Sequence, residues 1–239
     1  MAMTRRILIT GASKGIGRAL AQRLADGGDT PVGLARTAPA DFPGEFHEVD
    51  LLDRAATATV LGKIGDVDGV VNNVGFAKMA PVGEIDLDDL AWMLDGNVRV
   101  AVQVTQAALP AMKANGWGRI VNITSLVTLG TPGRSCYAAA KAALDALTRV
   151  WAGELAGTGI TVNSVAPGPT ETEMFRRTTP VGSPQEKQFF DHIPLGRIGR
   201  PAEVTAAIAF LLGEDGGFTT GQVLRVDGGG SIPAAHTRR

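Results

Sequence analysis

Nothing in this 239-residue chain supports a disulfide framework, because it holds a single cysteine, Cys136. One free thiol fits a reducing compartment, and a cytoplasmic protein is expected. Histidine is scarce too. His47, His192 and His236 stand too far apart for metal-ligand spacing, so no metal site is expected. Charge of neither sign prevails: 23 basic residues face 24 acidic ones, leaving no electrostatic footprint for nucleic acid or anionic lipid. Apolar runs are short. None approaches the ~18 residues of a membrane span, and Ile7-Leu8-Ile9 ends at once in Thr10-Gly11, too soon for a signal-peptide core. What remains is a small-molecule partner and no membrane.

Hydrophobic residues make up 44% of the chain and charged residues 20%, enough apolar material for one sizeable core, and residues 1–239 read as a single domain. Short apolar runs alternate with helical patterns, the signature of parallel strands joined by helical crossovers. Strands are expected at 5–10, 31–35, 45–50, 68–72, 118–124, 160–165 and 222–226. After the first, Ile16, Leu20 and Leu24 recur at helical spacing up to a Gly27-Gly28 stop. A helix over 201–213 starts at Pro201 and carries Val204, Ile208, Leu211 and Leu212 on one stripe. Between them, 173–198 is broken by Pro180, Pro184 and Pro194, and a stretch of that length inside a compact domain is expected to be a mobile lid. Residues 234–239 are expected to fray.

Thr10-Gly11-Ala12-Ser13-Lys14-Gly15-Ile16-Gly17 joins the first strand to its helix, where backbone N–H groups and a helix N-terminus can face a diphosphate. A dinucleotide fold that takes NAD has an acid at the end of its second strand for the adenosine ribose. Here that place holds Ala35, followed by Arg36. With Lys14 in the glycine loop, two cations and no carboxylate are placed to meet a 2′-phosphate, which favours NADP(H). Asp50, at the end of the third strand, is placed to accept from the adenine amino group, with Leu51 beside it.

Tyr137 is the only tyrosine, and Lys141 stands one helical turn beyond it in a segment of high helix propensity. An adjacent ammonium favours a phenolate over a phenol of ordinary pKa ~10. Such a tyrosine can give a proton to a carbonyl oxygen or take one from an alcohol. Cys136, its neighbour, is expected to lie within reach of thiol reagents.

Read in order, TGASKGIG at 10–17, NNVG at 72–75, Asn97, Thr124-Ser125, YAAAK at 137–141, PG at 167–168 and TGQVLRVDGG at 220–229 resemble the signatures of the short-chain dehydrogenase/reductase family over nearly the whole chain. The resemblance implies an α/β doubly wound Rossmann fold: a seven-stranded parallel sheet with helices on both faces. It implies that Ser125 bonds the reacting oxygen, that Tyr137 is the acid/base, that Lys141 holds the nicotinamide ribose and lowers the tyrosine pKa, and that Asn97 supports a proton-relay water. Gly11, Ser13, Ile16 and Gly17 are then expected at the diphosphate, Asn73 and Gly75 on the adenosine side, and Pro167, Gly168, Thr170 and Thr172 at the nicotinamide. A homotetramer, or a homodimer, built on the two long central helices is implied as well. Thr124 competes with Ser125, because many relatives place the serine thirteen positions before the tyrosine; alternation along the strand favours Ser125. Val74 and Gly96 depart from the usual alanine and branched residue, and both changes are expected to be tolerated.

PLGRIGRPAEV at 194–204 resembles the 3-oxoacyl-acyl-carrier-protein reductases within the family. Where those enzymes present basic residues to an acidic carrier, this chain has Gly116 and Thr158, with Lys113, Arg176 and Arg177 as substitutes. A general carbonyl or secondary-alcohol oxidoreductase is therefore the first reading and the carrier-protein reductase the second. A non-catalytic nucleotide-binding regulator is the alternative of another class, and the presence of both Tyr137 and Lys141 speaks against it.

Overall fold

The apolar runs of the chain are the strands of one sheet. In the computed structural model, which describes residues 4–232, these are β1 (Arg6–Thr10), β2 (Thr30–Ala35), β3 (Glu45–Glu48), β4 (Gly69–Asn72), β5 (Gly118–Ile123), β6 (Ile160–Pro167) and β7 (Val223–Val226). They pair in the order β3-β2-β1-β4-β5-β6-β7, every pair parallel. All seven expected strands are present, their ends within two residues of expectation. β3 stops short of Asp50 because that side chain closes a turn, its Oδ1 accepting from Leu52 N at 3.0 Å.

Successive residues of a strand face opposite ways, and each face is covered by helices. Leu8, Val32, Leu34, Val70, Ile120 and Val162 share a core with α2 (Arg54–Ile64), α4 (Val100–Asn115) and α5 (Ser135–Glu154). Ile7, Ile9, Val71, Val121, Ile123 and Val165 share the other with α1 (Gly15–Asp26) and α8 (Pro201–Leu212). This is the doubly wound α/β arrangement. The strand order reverses between β1 and β4, so a crevice opens at the carboxyl ends of those strands.

One row of the sheet is polar. Asn72, Asn122 and Ser164 are register neighbours on β4, β5 and β6. Asn72 Nδ2 donates to Asn122 Oδ1 at 2.8 Å and to Thr105 Oγ1 of α4 at 3.1 Å, Asn122 Nδ2 donates to Thr148 Oγ1 of α5 at 2.8 Å, and Thr148 Oγ1 lies 2.7 Å from Ser164 Oγ. The row ties both central helices to the sheet. At the amino end of β5, Arg119 is 3% exposed; it donates to Gly118 O and Gly159 O, and with Arg5 it flanks the Trp117 ring, at 4.3 and 3.9 Å from the centroid.

Residues 173–198 are more ordered than their prolines suggest. They contain α6 (Glu173–Thr178) and α7 (Pro184–His192), with Thr172 Oγ1 accepting from Phe175 N and Ser183 Oγ from Glu186 N as caps. Pro184 sits in the first turn of α7, where its missing N–H costs nothing. No helix among the described residues is long and apolar enough to cross a membrane; residues 234–239 lie outside the described residues.

Asn122→Ala removes the centre of the polar row and leaves Asn72 and Thr148 short of partners. Taking one bond from each of two buried groups is expected to lower unfolding free energy by about 1–3 kcal/mol in a denaturant titration.

Candidate active site

The crevice is built from a knot between the β1 and β4 loops. Thr10 Oγ1, fully buried, accepts from Asn73 N and Val74 N at 3.0 Å each, and Asn73 Nδ2 returns a bond to Thr10 O at 2.9 Å. Gly17 must lack a side chain here: a Cβ would stand 2.4 Å from Gly11 O and 2.7 Å from Asn73 Nδ2. Gly11 turns the loop with φ +68. Lys14, extended at the N-cap of α1, gives no side-chain bond to the helix, and the first turn carries no acid. The N–H groups of that turn therefore face the crevice with no side-chain acceptor of their own, as a diphosphate requires. Ser13 and Ile16 are half-buried beside them, Ile16 packing into the α1 core.

Around this loop the expected nucleotide contacts are gathered unevenly. Arg36 is exposed just past β2. Lys14 is also exposed, with Nζ 3.3 Å from Glu173 Oε2 of α6, a pairing that forms only across the fold. Asp50 is exposed but partly spent on its own turn. Leu51 is 4% exposed and belongs to the core, so only its backbone is left for a ligand. Thr172 comes close to the glycine loop, its Cγ2 3.5 Å from where a Gly15 Cβ would stand. Beneath it Gly168 approaches Asp227 so tightly that a Cβ would meet Asp227 Cα at 2.8 Å, and Thr170 Oγ1 donates to Gly168 O at 2.9 Å. The residues of 167–172 thus form one wall of the crevice.

Tyr137 and Lys141 project from α5 into the middle of it. Ser125, at the end of β5, caps the short turn Leu126–Leu129, its Oγ accepting from Val127 N at 3.2 Å. That hydroxyl stands near enough to the Tyr137 phenol to lower its pKa, whereas Thr124 is 2% exposed and lies on the other side of the strand. Lys141, 2% exposed, donates from Nζ to Ile123 O at 2.9 Å and stands 5.7 Å from the Tyr137 ring centroid. Asn97, 1% exposed, lies in a turn of π-helix (Asp95–Arg99) between α3 (Leu87–Leu94) and α4. Gly75 lies between these two side chains: a Cβ on it would be 3.7 Å from Lys141 Nζ and 3.8 Å from Asn97 Oδ1. A hydroxyl, a phenol and an ammonium beside a diphosphate cradle can pass a proton to an oxygen held near a bound nicotinamide.

A family model described as Enoyl-(Acyl carrier protein) reductase matches residues 11–231. The chain belongs to the short-chain dehydrogenase/reductase family. It is 36% identical over 239 residues to a 3-oxoacyl-[acyl-carrier-protein] reductase of Thermotoga maritima, covering 93% of this chain and 96% of that protein. A solved short chain dehydrogenase/reductase family protein shares 35% identity with a TM-score of 0.89, over 98% of this chain and all of the other. A gluconate 5-dehydrogenase from Burkholderia cenocepacia, solved with NADP and tartrate, shares 31% identity with a TM-score of 0.90, over 96% of each. This short-chain dehydrogenase/reductase is thus an oxidoreductase of CH–OH and keto groups that uses a nicotinamide cofactor.

Two features of α5 bear on these expectations. Burial pushes the Tyr137 phenol up, while the nearby Ser125 hydroxyl and the charge of Arg134 pull it down. Lys141 is itself pushed down to about 8 by burial, Asp145 opposing, and donates to Ile123 O. Cys136, the second, is buried to 7% beside Met93, since one residue along a helix rotates a side chain by roughly 100°. Thiol reagents are expected to reach it slowly.

The sequence also missed the arginine at the centre of 173–198. Arg176 pairs with Glu171, with Glu186 Oε1 at 2.5 Å and with Thr179 O at 3.2 Å, while Glu186, 6% exposed, accepts from Gly182 N at 2.6 Å. Only its spacing from two acids hinted at this. Arg176 is therefore engaged and not available to a carrier.

A lysine whose folded pKa lies below its unfolded value is protonated less readily in the native state, so stability rises with pH between the two values. Between pH 7.5 and 10, Lys141 is expected to add up to about 3 kcal/mol as its proton leaves near 8. Thermal melts of wild type and Lys141→Met check this, the rise being lost in the variant.

Proposed function

We propose that this protein transfers hydride between NADP(H) and a small carbonyl or secondary-alcohol substrate, with Ser125, Tyr137, Lys141 and Asn97 as its catalytic group. The observation that carries the reading is the meeting of the Ser125 hydroxyl, the Tyr137 phenol and the buried Lys141 ammonium at the reversal of strand order. In reduction, Ser125 bonds the carbonyl oxygen and Tyr137 supplies the proton; in oxidation the transfer runs backward. The nicotinamide supplies or accepts the hydride when bound. Lys141 holds its ribose, and Asn97 keeps the water side of the relay open.

Gly11, Ser13, Lys14, Ile16 and Gly17 hold the diphosphate end, Asp50, Leu51, Asn73 and Gly75 the adenosine, and Pro167, Gly168, Thr170 and Thr172 the nicotinamide. NADP(H) is favoured over NAD(H) because Ala35 leaves the end of β2 without a carboxylate and Arg36 is exposed beside it. Lys14 contributes less than its position suggests, being shared with Glu173. Residues 173–198 act as the lid, with Met174, Val181, Phe190 and Leu195 exposing apolar surface along it and Arg176 holding its two helices as a unit. The outer faces of α4 and α5 are the proposed seam of a homotetramer or homodimer, and a cytoplasmic location suits the single free thiol.

A second reading, reduction of a 3-oxoacyl group on an acyl carrier, is favoured by the names of the curated relatives. Gly116 and Thr158 leave the expected docking positions uncharged, and with Arg176 engaged only Lys113 and Arg177 remain exposed for it. Rates on acetoacetyl thioesters of coenzyme A and of acyl carrier protein, set against α-diketones, cyclic ketones and ketoses, separate the two.

Tyr137→Phe is expected to lose activity by about 10²–10⁴-fold while NADPH binding, followed by fluorescence titration, stays near wild type. The coenzyme preference is expected to be roughly 10- to 1000-fold in kcat/KM for NADPH over NADH, falling as salt rises, since a guanidinium bonds a phosphate that NADH lacks. Replacing Ala35 by Asp and Arg36 by Ser reverses it, and equal use of both coenzymes by the wild type would refute the roles of Arg36 and Lys14.

A further inference from the structure

Phe76 and Gly96 stand outside every role given above. Gly96 is buried within the π turn, and the Phe76 ring fills the space its side chain would take: a Cβ there would stand 2.4 Å from Cδ2, 2.9 Å from Cε2 and 3.0 Å from Cγ. The ring is half-buried. It meets Trp92 of α3 edge to face with centroids 4.9 Å apart, a geometry that rings prefer. The backbone of the same residue is bracketed by one carboxamide. Phe76 N donates to Asn97 Oδ1 at 3.2 Å, while Asn97 Nδ2 donates to Phe76 O at 2.9 Å and to Met93 O at 2.8 Å. Asn97 therefore ties both ends of its carboxamide to the loop that carries Phe76 and to the last turn of α3.

That loop leads straight to the reacting groups. Gly75 precedes Phe76 and lies between Asn97 and Lys141. A displacement of the ring is passed through one residue of backbone to Gly75 and through two hydrogen bonds to Asn97. A methyl group on residue 96 would have to move the ring, the turn or both, because ordinary contact between carbon atoms begins at about 3.5 Å.

We propose that Phe76 and Gly96 are a matched positioning pair, the ring serving as the stop that sets where the π turn and Asn97 lie relative to Lys141. Neither is a catalytic residue. The inference rests on the proposed membership of Asn97 and Lys141 in the site, and it revises the expectation that glycine at 96 is a neutral change: the missing side chain is what admits the ring.

The test is a cycle of Gly96→Ala, Phe76→Ala and the two combined, reading kcat, KM for NADPH and, independently of activity, hydrogen exchange of residues 93–100 by mass spectrometry. Gly96→Ala is expected to lower kcat roughly tenfold to a hundredfold, the scale of a site displaced by up to an ångström. KM for NADPH should change much less than kcat, since the glycine loop, Arg36 and Asp50 hold the coenzyme away from the turn, and exchange over 93–100 should quicken. Phe76→Ala alone removes the stop and is expected to lower kcat and quicken exchange as well, whereas in the combined variant the new methyl refills part of the space the ring leaves and is expected to restore part of both losses; a Phe76→Ala protein with unchanged kcat and exchange overturns the ring's role as a stop. A double variant no better than Gly96→Ala in kcat and exchange overturns the pairing. So does a Gly96→Ala protein with unchanged kcat, or with kcat and KM affected alike, either of which makes the ring ordinary packing. A wild type that transfers no hydride to any carbonyl overturns the catalytic reading alone; the exchange cycle then still decides whether the ring sets the turn.

Discussion

Thr10 accepts two backbone N–H groups from the β4 loop at the point where the strand order reverses, and the rest of the crevice takes its shape from that bond pair. It fixes how far the glycine loop can lift from the sheet. With Asn73 closing the knot from the other side, the loop is pressed so close to α1 that only glycine fits at position 17. The same segment, continuing through Gly75 and Phe76, reaches Asn97 and the neighbourhood of Lys141. A single buried hydroxyl therefore sets the relative height of the nucleotide end and the chemical end. Shifting one shifts the other.

The two ends differ in their electrostatics. At the glycine loop, helix N–H groups and exposed cations form a positive lip open to solvent, suited to an anion that arrives and leaves. At α5 an ammonium is buried against a backbone carbonyl with its pKa drawn down to about 8. Such a group gives up its proton easily and holds charge only when something nearby rewards it. The phenol beside it, raised by burial, holds its proton more tightly than a free tyrosine does.

How much of this was legible in the sequence follows from the range of the interactions. Strands of a doubly covered parallel sheet are near-continuous apolar runs, so Ile7-Leu8-Ile9 or Val70-Val71 declare themselves with no knowledge of their neighbours. The Tyr137 and Lys141 spacing and the glycine loop are likewise local, as is the choice of Ser125 over Thr124, which alternation along one strand decides. What escaped depends on distant partners or on depth. The helices α6 and α7 were hidden behind prolines that in fact start or flank them. The Arg176 cluster joins residues across the lid, Glu173 meets Lys14 only once the chain has folded back, and the fit of Phe76 over Gly96 joins two loops. Burial, which spacing does not report, hid Cys136.

The polar row across β4, β5 and β6 has a consequence for assembly. Parallel strands meet only after long crossovers, when many offsets are sterically open to them. A slip of β5 by one residue would turn Asn122 toward the apolar side shared by α1 and α8 and bring Val121 or Ile123 opposite Thr148, leaving polar groups stranded at both faces. The Asn72-Asn122-Ser164 alignment thus acts as an index mark. Of the offsets the apolar residues alone would tolerate, it accepts one, and the pairing is checked as soon as α5 docks.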